Sequence, residues 1–154
     1  MSDLYEADVL SWSERQADLL RRLARGERVN TQIDWENVVE EIESVGRSQL
    51  SAVRSLLIQA LAHDLKADAW PSSREVPHWR AEARRFRGDA LEAFTPSMRQ
   101  RIDLAALYRR ALYVLPDTID GQPPVSLPET SPVTLDDLLG GASAAGHVQG
   151  PTDG

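Results

Sequence analysis

The chain contains no cysteine, which excludes disulfide frameworks, thiolate zinc sites, iron–sulfur clusters and cysteine nucleophiles. Lysine is nearly missing as well: of 17 basic side chains, Lys66 alone is lysine. That arginine bias reads as genome composition rather than as chemistry. No stretch approaches the roughly 20 consecutive apolar residues a membrane span needs. The opening "MSDLYEADVL" is acidic and lacks the basic and apolar regions of a secretory signal. The cytoplasm is therefore the expected compartment. There is no G-x-S-x-G, no P-loop and no G-x-G-x-x-G. A di-metal carboxylate bundle needs two Glu-x-x-His pairs. The three scattered histidines, His63, His78 and His147, cannot supply them, so neither a metal nor another cofactor is expected.

What is present begins with charge. The net charge is −7 over 154 residues, a balance that disfavours nonspecific contact with nucleic acid or anionic lipid. It is unevenly spread. Residues 1–73 hold 8 basic and 13 acidic side chains, residues 74–110 hold 9 arginines against 5 acids, and residues 111–154 hold 6 acids and no Lys or Arg. The middle of the chain is a basic island, and pairing of its arginines with the acidic neighbours is the simplest expectation.

Hydrophobic periodicity predicts four main helices. Tyr5, Val9, Trp12, Gln16, Leu19, Leu20 and Leu23 recur at steps of three and four over about Leu4 to Ala24, with Gly26 placed as a C-cap glycine. Asp34 is a good N-cap for a second helix of about 30 residues. It carries Val38, Ile42 and Val45, then Leu50, Val53, Leu56, Leu57, Ala60 and Leu61. A third helix starts near Pro77 with Trp79, Ala83, Phe86, Ala90, Leu91 and Phe94. A fourth starts at Pro96 and ends at Pro116. A proline-rich extended segment follows, then a short helix capped by Thr134, then a flexible Gly/Ala/Ser-rich tail over residues 141–154. The expected architecture is all-α: one domain over residues 1–140, a bundle of four main helices with a long second helix.

The densest stretch is "DWENVVEEIESVGRSQ", residues 34–49. At about 100° per residue, Trp35, Val38, Val39, Ile42, Val45 and Gly46 share one side of a helix, and Glu36, Glu40, Glu43 and Arg47 share the other. Glu41 falls on the flank of the apolar side. The plain reading is a solvated stripe with one boundary glutamate; the sharper one is a stripe whose Glu40, Glu41 and Glu43 meet a cation or a basic ligand. His63 lies on the apolar side of the same helix, where a hydrogen-bonded structural histidine is the ordinary outcome. In "WRAEARRFR", Trp79 and Phe86 share a face, and Arg80, Arg84 and Arg87 form a stripe at i, i+4 and i+7. Interleaved arginines and aromatics can bind single-stranded nucleic acid. The simpler reading buries the aromatics and bridges the arginines to the second helix.

"DVLSWSERQADLLRRL", "IDWENVVEEIESVGRSQ", "LLIQALAHDLK", "RRFR", "TPSMR" and "SPVTLDDLL", in that order over about residues 4–139, resemble the bacterial DUF29 family. The resemblance implies an all-α domain from bacteria, cyanobacteria and proteobacteria included, in a family without an assigned biochemical function. It brings no catalytic residues. The positions matching the family's motifs are Trp12, Gln16, Asp34, Asn37, Glu40, Glu41, Ile42, Gly46, Arg47, His63, Lys66 and Arg85. Two features depart from the pattern. Asp64 interrupts the more hydrophobic run after the histidine, with Trp70 four residues beyond Lys66, and Ser131 stands where the family has cysteine.

The leading expectation is a small, non-enzymatic helical protein that binds another macromolecule, either another protein or a second copy of itself. One alternative is a ligand-binding protein or enzyme using Glu40, Glu41, Arg47, His63 and Arg85 around a polar cleft. The other is nucleic-acid binding through Arg80, Arg84 and Arg87, against the net charge. No catalytic set is expected.

Overall fold

The computed structural model describes residues 3–139; the expected tail of residues 141–154, with His147, lies outside them. The fold is all-α. In chain order the α-helices are α1 (Asp3–Ala7), α2 (Val9–Ala24), α3 (Trp35–Ala69), α4 (Val76–Ala93), α5 (Leu104–Tyr113) and α6 (Leu135–Leu138). Short 3-10 turns cover Asn30–Gln32 and Pro96–Arg101. The chain divides into two compact units, Met1–Ser48 and Gln49–Gly154, and each is described by itself.

In the first unit the expected single helix over Leu4 to Ala24 is broken at Asp8. The Asp8 carboxylate accepts the Ser11 backbone N–H at 3.0 Å and the Ser11 hydroxyl at 2.8 Å, which caps α2 and holds Asp8 below the usual carboxylate range. The Asp-x-x-Ser spacing was a start signal inside an otherwise continuous period. At the other end α2 closes as foreseen. Gly26 adopts φ +90°, its N–H donates to the Leu23 carbonyl at 2.9 Å, and the Glu27 N–H donates to Arg22 at 3.0 Å. Those two bonds make a Schellman motif. Gly26→Ala is expected to cost about 1 kcal/mol, because a Cβ is strained at that φ although the space around it is open. Chemical denaturation of the variant checks this. The unit's core is Trp12, Leu19, Val29, Ile33 and Val38, with Leu4, Tyr5, Leu20 and Leu23 packed on it.

The second unit is built on α3 from residue 49 onward. Val53, Leu57, Leu61 and Leu65 recur at four-residue steps and face Ala90 of α4, Leu107, Tyr108 and Ala111 of α5, and Leu138 of α6. Helix α4 begins beside Pro77 as expected. The fourth main helix starts later than expected: Pro96–Arg101 is a 3-10 turn, and Asp103 then caps α5 by accepting the Ala106 N–H at 3.3 Å. A proline favours a first turn but does not choose its type. Thr134 and Asp137 form a reciprocal capping box on α6. The extended segment between α5 and α6 is pinned by three bonds. Trp70 Nε1 donates to the Gln122 carbonyl at 2.9 Å, the Val125 N–H donates to Ala69 at 2.9 Å, and the Tyr108 hydroxyl donates to Pro128 at 2.6 Å.

One expectation about α3 fails. Periodicity places Ile42 and Val45 on the core side with Val38. Only Val38 is buried; Ile42 is 67% and Val45 63% exposed. The protected side of this half of the helix carries Asn37, Val38, Glu41 and Ser44. Periodicity groups the apolar residues on one face, but α1 and α2 offer hydrogen bonds to the neighbouring polar side, and that side is the one covered.

Candidate functional site

In the first unit a hydrogen-bond network centres on Asp34. Its Oδ2 accepts Trp12 Nε1 at 2.9 Å and Asn37 Nδ2 at 2.8 Å, and its backbone N–H donates to Gln16 Oε1 at 2.8 Å. Trp12 and Gln16 are both nearly fully buried, and a buried indole N–H needs such an acceptor. Beside the network, the Tyr5 hydroxyl donates to Glu41 Oε1 at 2.5 Å. This bond, ahead of burial and the nearby carboxylates, raises the phenol's pKa. Five of the motif positions, Trp12, Gln16, Asp34, Asn37 and Glu41, thus hold the start of α3 against α1 and α2. Against this network opens a cleft of about 650 Å³, lined by Leu4, Trp12, Arg15, Gln16, Thr31, Gln32, Ile33, Asp34, Trp35 and Glu36. Sequence reasoning missed Arg15, Gln32 and Tyr5 as neighbours of this place, because they sit on separate elements with no shared motif.

The remaining glutamates of α3 are outward. Glu40 pairs with Arg47 at 2.7 Å, and Glu43 pairs with the same guanidinium at 3.6 Å. All three side chains are more than half exposed, so these pairs are worth at most a few tenths of a kcal/mol each, in the range of about 0.3–0.5. Alongside them lies an apolar strip, Trp35, Val39, Ile42 and Val45, exposed by 46, 49, 67 and 63%.

In the second unit His63 Nδ1 donates to the Gln59 carbonyl one turn back, at 2.7 Å, and its ring lies 5.3 Å from that of Phe86. The Arg85 guanidinium lies 4.5 Å from the centre of the Phe86 ring and pairs with Glu82 at 2.7 Å. The Arg85 hydrogen bond holds Glu82 below the usual carboxylate range, with burial opposing. Asp64, the residue that interrupts the family's apolar run, collects two arginines: Arg80 at 2.7 Å and Arg87 at 2.7 Å. Arg80 also reaches Asp68 at 2.5 Å. A small cavity of about 140 Å³ lies against Asp64, Asp68, Arg80, Arg87 and Tyr108; burial pushes the Tyr108 phenol up.

The sequence-selected residues are divided between the two units. Glu40, Glu41 and Arg47 belong to the first unit, where Glu40 joins Arg47 while Glu41 joins Tyr5. His63 and Arg85 belong to the second, joined through Phe86. Arg80 and Arg87 meet acids of α3, and Arg84 is exposed. Among the described residues no group of three or more His, Asp or Glu could hold a metal ion, and no helix is long and apolar enough to cross a membrane.

A family model described as "Domain of unknown function DUF29" matches residues 4–142. The chain is also similar to an alpha-helical protein of unknown function from Rhodospirillum rubrum ATCC 11170, known from its crystal structure. The two share 32% sequence identity and a TM-score of 0.62, over 88% of this chain and 89% of that one. No curated protein matches the chain.

Proposed function

We propose that this chain, which belongs to the DUF29 family, is a non-enzymatic interaction module that docks a basic amphipathic helix on the outer face of α3. The carrying observation is the exposed strip of Trp35, Val39, Ile42 and Val45. Their steps of four, three and three residues keep them on one side of the helix over about 15 Å. A partner helix can lay an apolar face of matching period along such a strip. Fully burying a side chain of this size is worth about 1.5–3 kcal/mol, so covering four that are 46–67% exposed is a substantial driving force.

Charge selects the partner. Glu36, Glu40 and Glu43 flank the strip with only Arg47 among them, and residues 1–48 hold 11 acidic side chains against 6 arginines. Two copies of this unit repel, whereas a basic helix is attracted and steered. The absence of cysteine fits work in a reducing compartment such as the cytoplasm.

The other two readings have less support. Glu40, Glu41, Arg47, His63 and Arg85 each engage a neighbour inside their own unit. Arg80 and Arg87, needed for nucleic acid, are already neutralised by Asp64 and Asp68.

The test uses a fluorescent 16-residue Leu/Lys amphipathic peptide and its Leu/Glu counterpart. The chain should bind the first and not the second, and Ile42→Glu should weaken binding at least about tenfold, or 1.4 kcal/mol. Equal binding by Ile42→Glu would overturn the proposal, as would a stable homodimer dissolved by that substitution.

A further inference from the structure

The cleft beside Asp34 has the makings of a ligand site, and of the strip's four apolar residues only Trp35 lines it. Its volume of about 650 Å³ lies within the range of small-molecule sites, roughly 300–1,000 Å³. Gln16 stands in its wall with only 6% of its surface exposed. The side-chain oxygen is fixed, because it accepts the Asp34 backbone N–H; the carboxamide NH₂ is therefore assigned by elimination. That nitrogen has no protein acceptor among the described residues. Among the described residues no sealed side-chain N or O lacks a partner, so the Gln16 NH₂ is reached by solvent and free to donate to a molecule in the cleft that Gln16 lines.

Two charges of opposite sign line the same cleft. Arg15 and Glu36 take part in none of the ion pairs among the described residues. Asp34, by contrast, already accepts from Trp12 and Asn37. The rings of Trp12 and Trp35 supply an apolar boundary, and the Trp35 ring is held in place by its own bond, Nε1 donating to the Asn30 carbonyl at 2.9 Å. A simple anion would answer Arg15 and the Gln16 donor but would meet Glu36 and Asp34. A simple cation would leave the two donors unanswered. A compact molecule carrying both charges answers all of them.

We propose that the cleft lined by Trp12, Arg15, Gln16, Trp35 and Glu36 binds a free α-amino acid. Its carboxylate faces Arg15 and the Gln16 NH₂, its ammonium faces Glu36, and its side chain lies against the indole of Trp35.

The experiment uses the full chain and the twenty common L-amino acids at about 10 mM, read by melting temperature and tryptophan fluorescence, since a ligand that binds only the folded form raises the melting point. At least one is expected to bind saturably. Its α-amide and its N-acetyl derivative, each lacking one charge, should bind at least about tenfold more weakly. Arg15→Met should bind acid and amide alike, and Glu36→Gln should bind the free and N-acetylated forms alike. Both side chains are exposed and form no ion pair among the described residues, so both variants should melt within a degree or two of the parent. Binding of no amino acid overturns the proposal, as does equal binding of the singly charged derivatives by the parent chain. Persistence of the acid–amide difference in Arg15→Met does so too. None of these outcomes bears on the docking strip, whose test is at Ile42.

Discussion

Replacing Asp34 with alanine is expected to destabilise the first unit by about 2–4 kcal/mol. Two losses combine. The Trp12 indole N–H, in a residue 3% exposed, loses the carboxylate that accepts it at 2.9 Å, and a buried donor left unsatisfied costs about 1–3 kcal/mol. The half-buried Asn37 side chain also loses the carboxylate that accepts its Nδ2 at 2.8 Å, and a hydrogen bond of this kind contributes about 0.5–1.5 kcal/mol. Asp34→Asn retains one side-chain oxygen in the same place and should recover at least half of the loss. Urea unfolding followed by tryptophan fluorescence reads both variants. A change below about 0.5 kcal/mol for the alanine variant, the usual size for a surface substitution, would show that the network does not hold the unit.

The second large effect sets two aliphatic residues of α3 against each other. Leu57 is fully buried among Val53, Leu61, Tyr108 and their neighbours, so Leu57→Ala should cost about 2–5 kcal/mol through lost burial and the cavity left behind. Ile42, on the same helix and of the same size, is 67% exposed. Ile42→Ala should therefore stay within about 0.5 kcal/mol of the parent. Near-equal losses at the two positions would contradict the orientation of the N-terminal half of α3.

That contrast also shows what the sequence could convey. Periodicity identified α3 and its apolar side, and in the second unit the same residues, Val53, Leu57 and Leu61, form the core. Around Ile42 the same pattern marks an exposed strip, because periodicity describes a helix but not which of its sides a neighbour covers. The choice there is made by Tyr5, Trp12 and Gln16, reaching α3 from up to 36 residues away. Caps and punctuation were legible where the signal is local, as at Gly26, Thr134 and Pro77. The break at Asp8 and the late start of α5 were hidden within runs whose apolar spacing continues unbroken. The bridging of arginines to acids was legible as a charge balance, although Asp64 as their shared partner was not. The cleft beside Asp34 draws on α1, α2, the turn after them and α3, and no single stretch of sequence displays it.

The bonds that pin the extended segment bear on the order in which the molecule is made. The carbonyl of Ala69 closes α3 and finds its donor in Val125, and the indole of Trp70, 5% exposed, finds its acceptor at Gln122, 52 residues further along the chain. Contacts of such separation carry a loop-closure cost that local helix formation does not. During synthesis the last turn of α3 can coil as soon as it emerges, but Trp70 has no burial place until α4 and α5 have followed and the turn at Asp120–Gly121 has brought the chain back. The end of the longest helix is thus among the last parts of the second unit to become native.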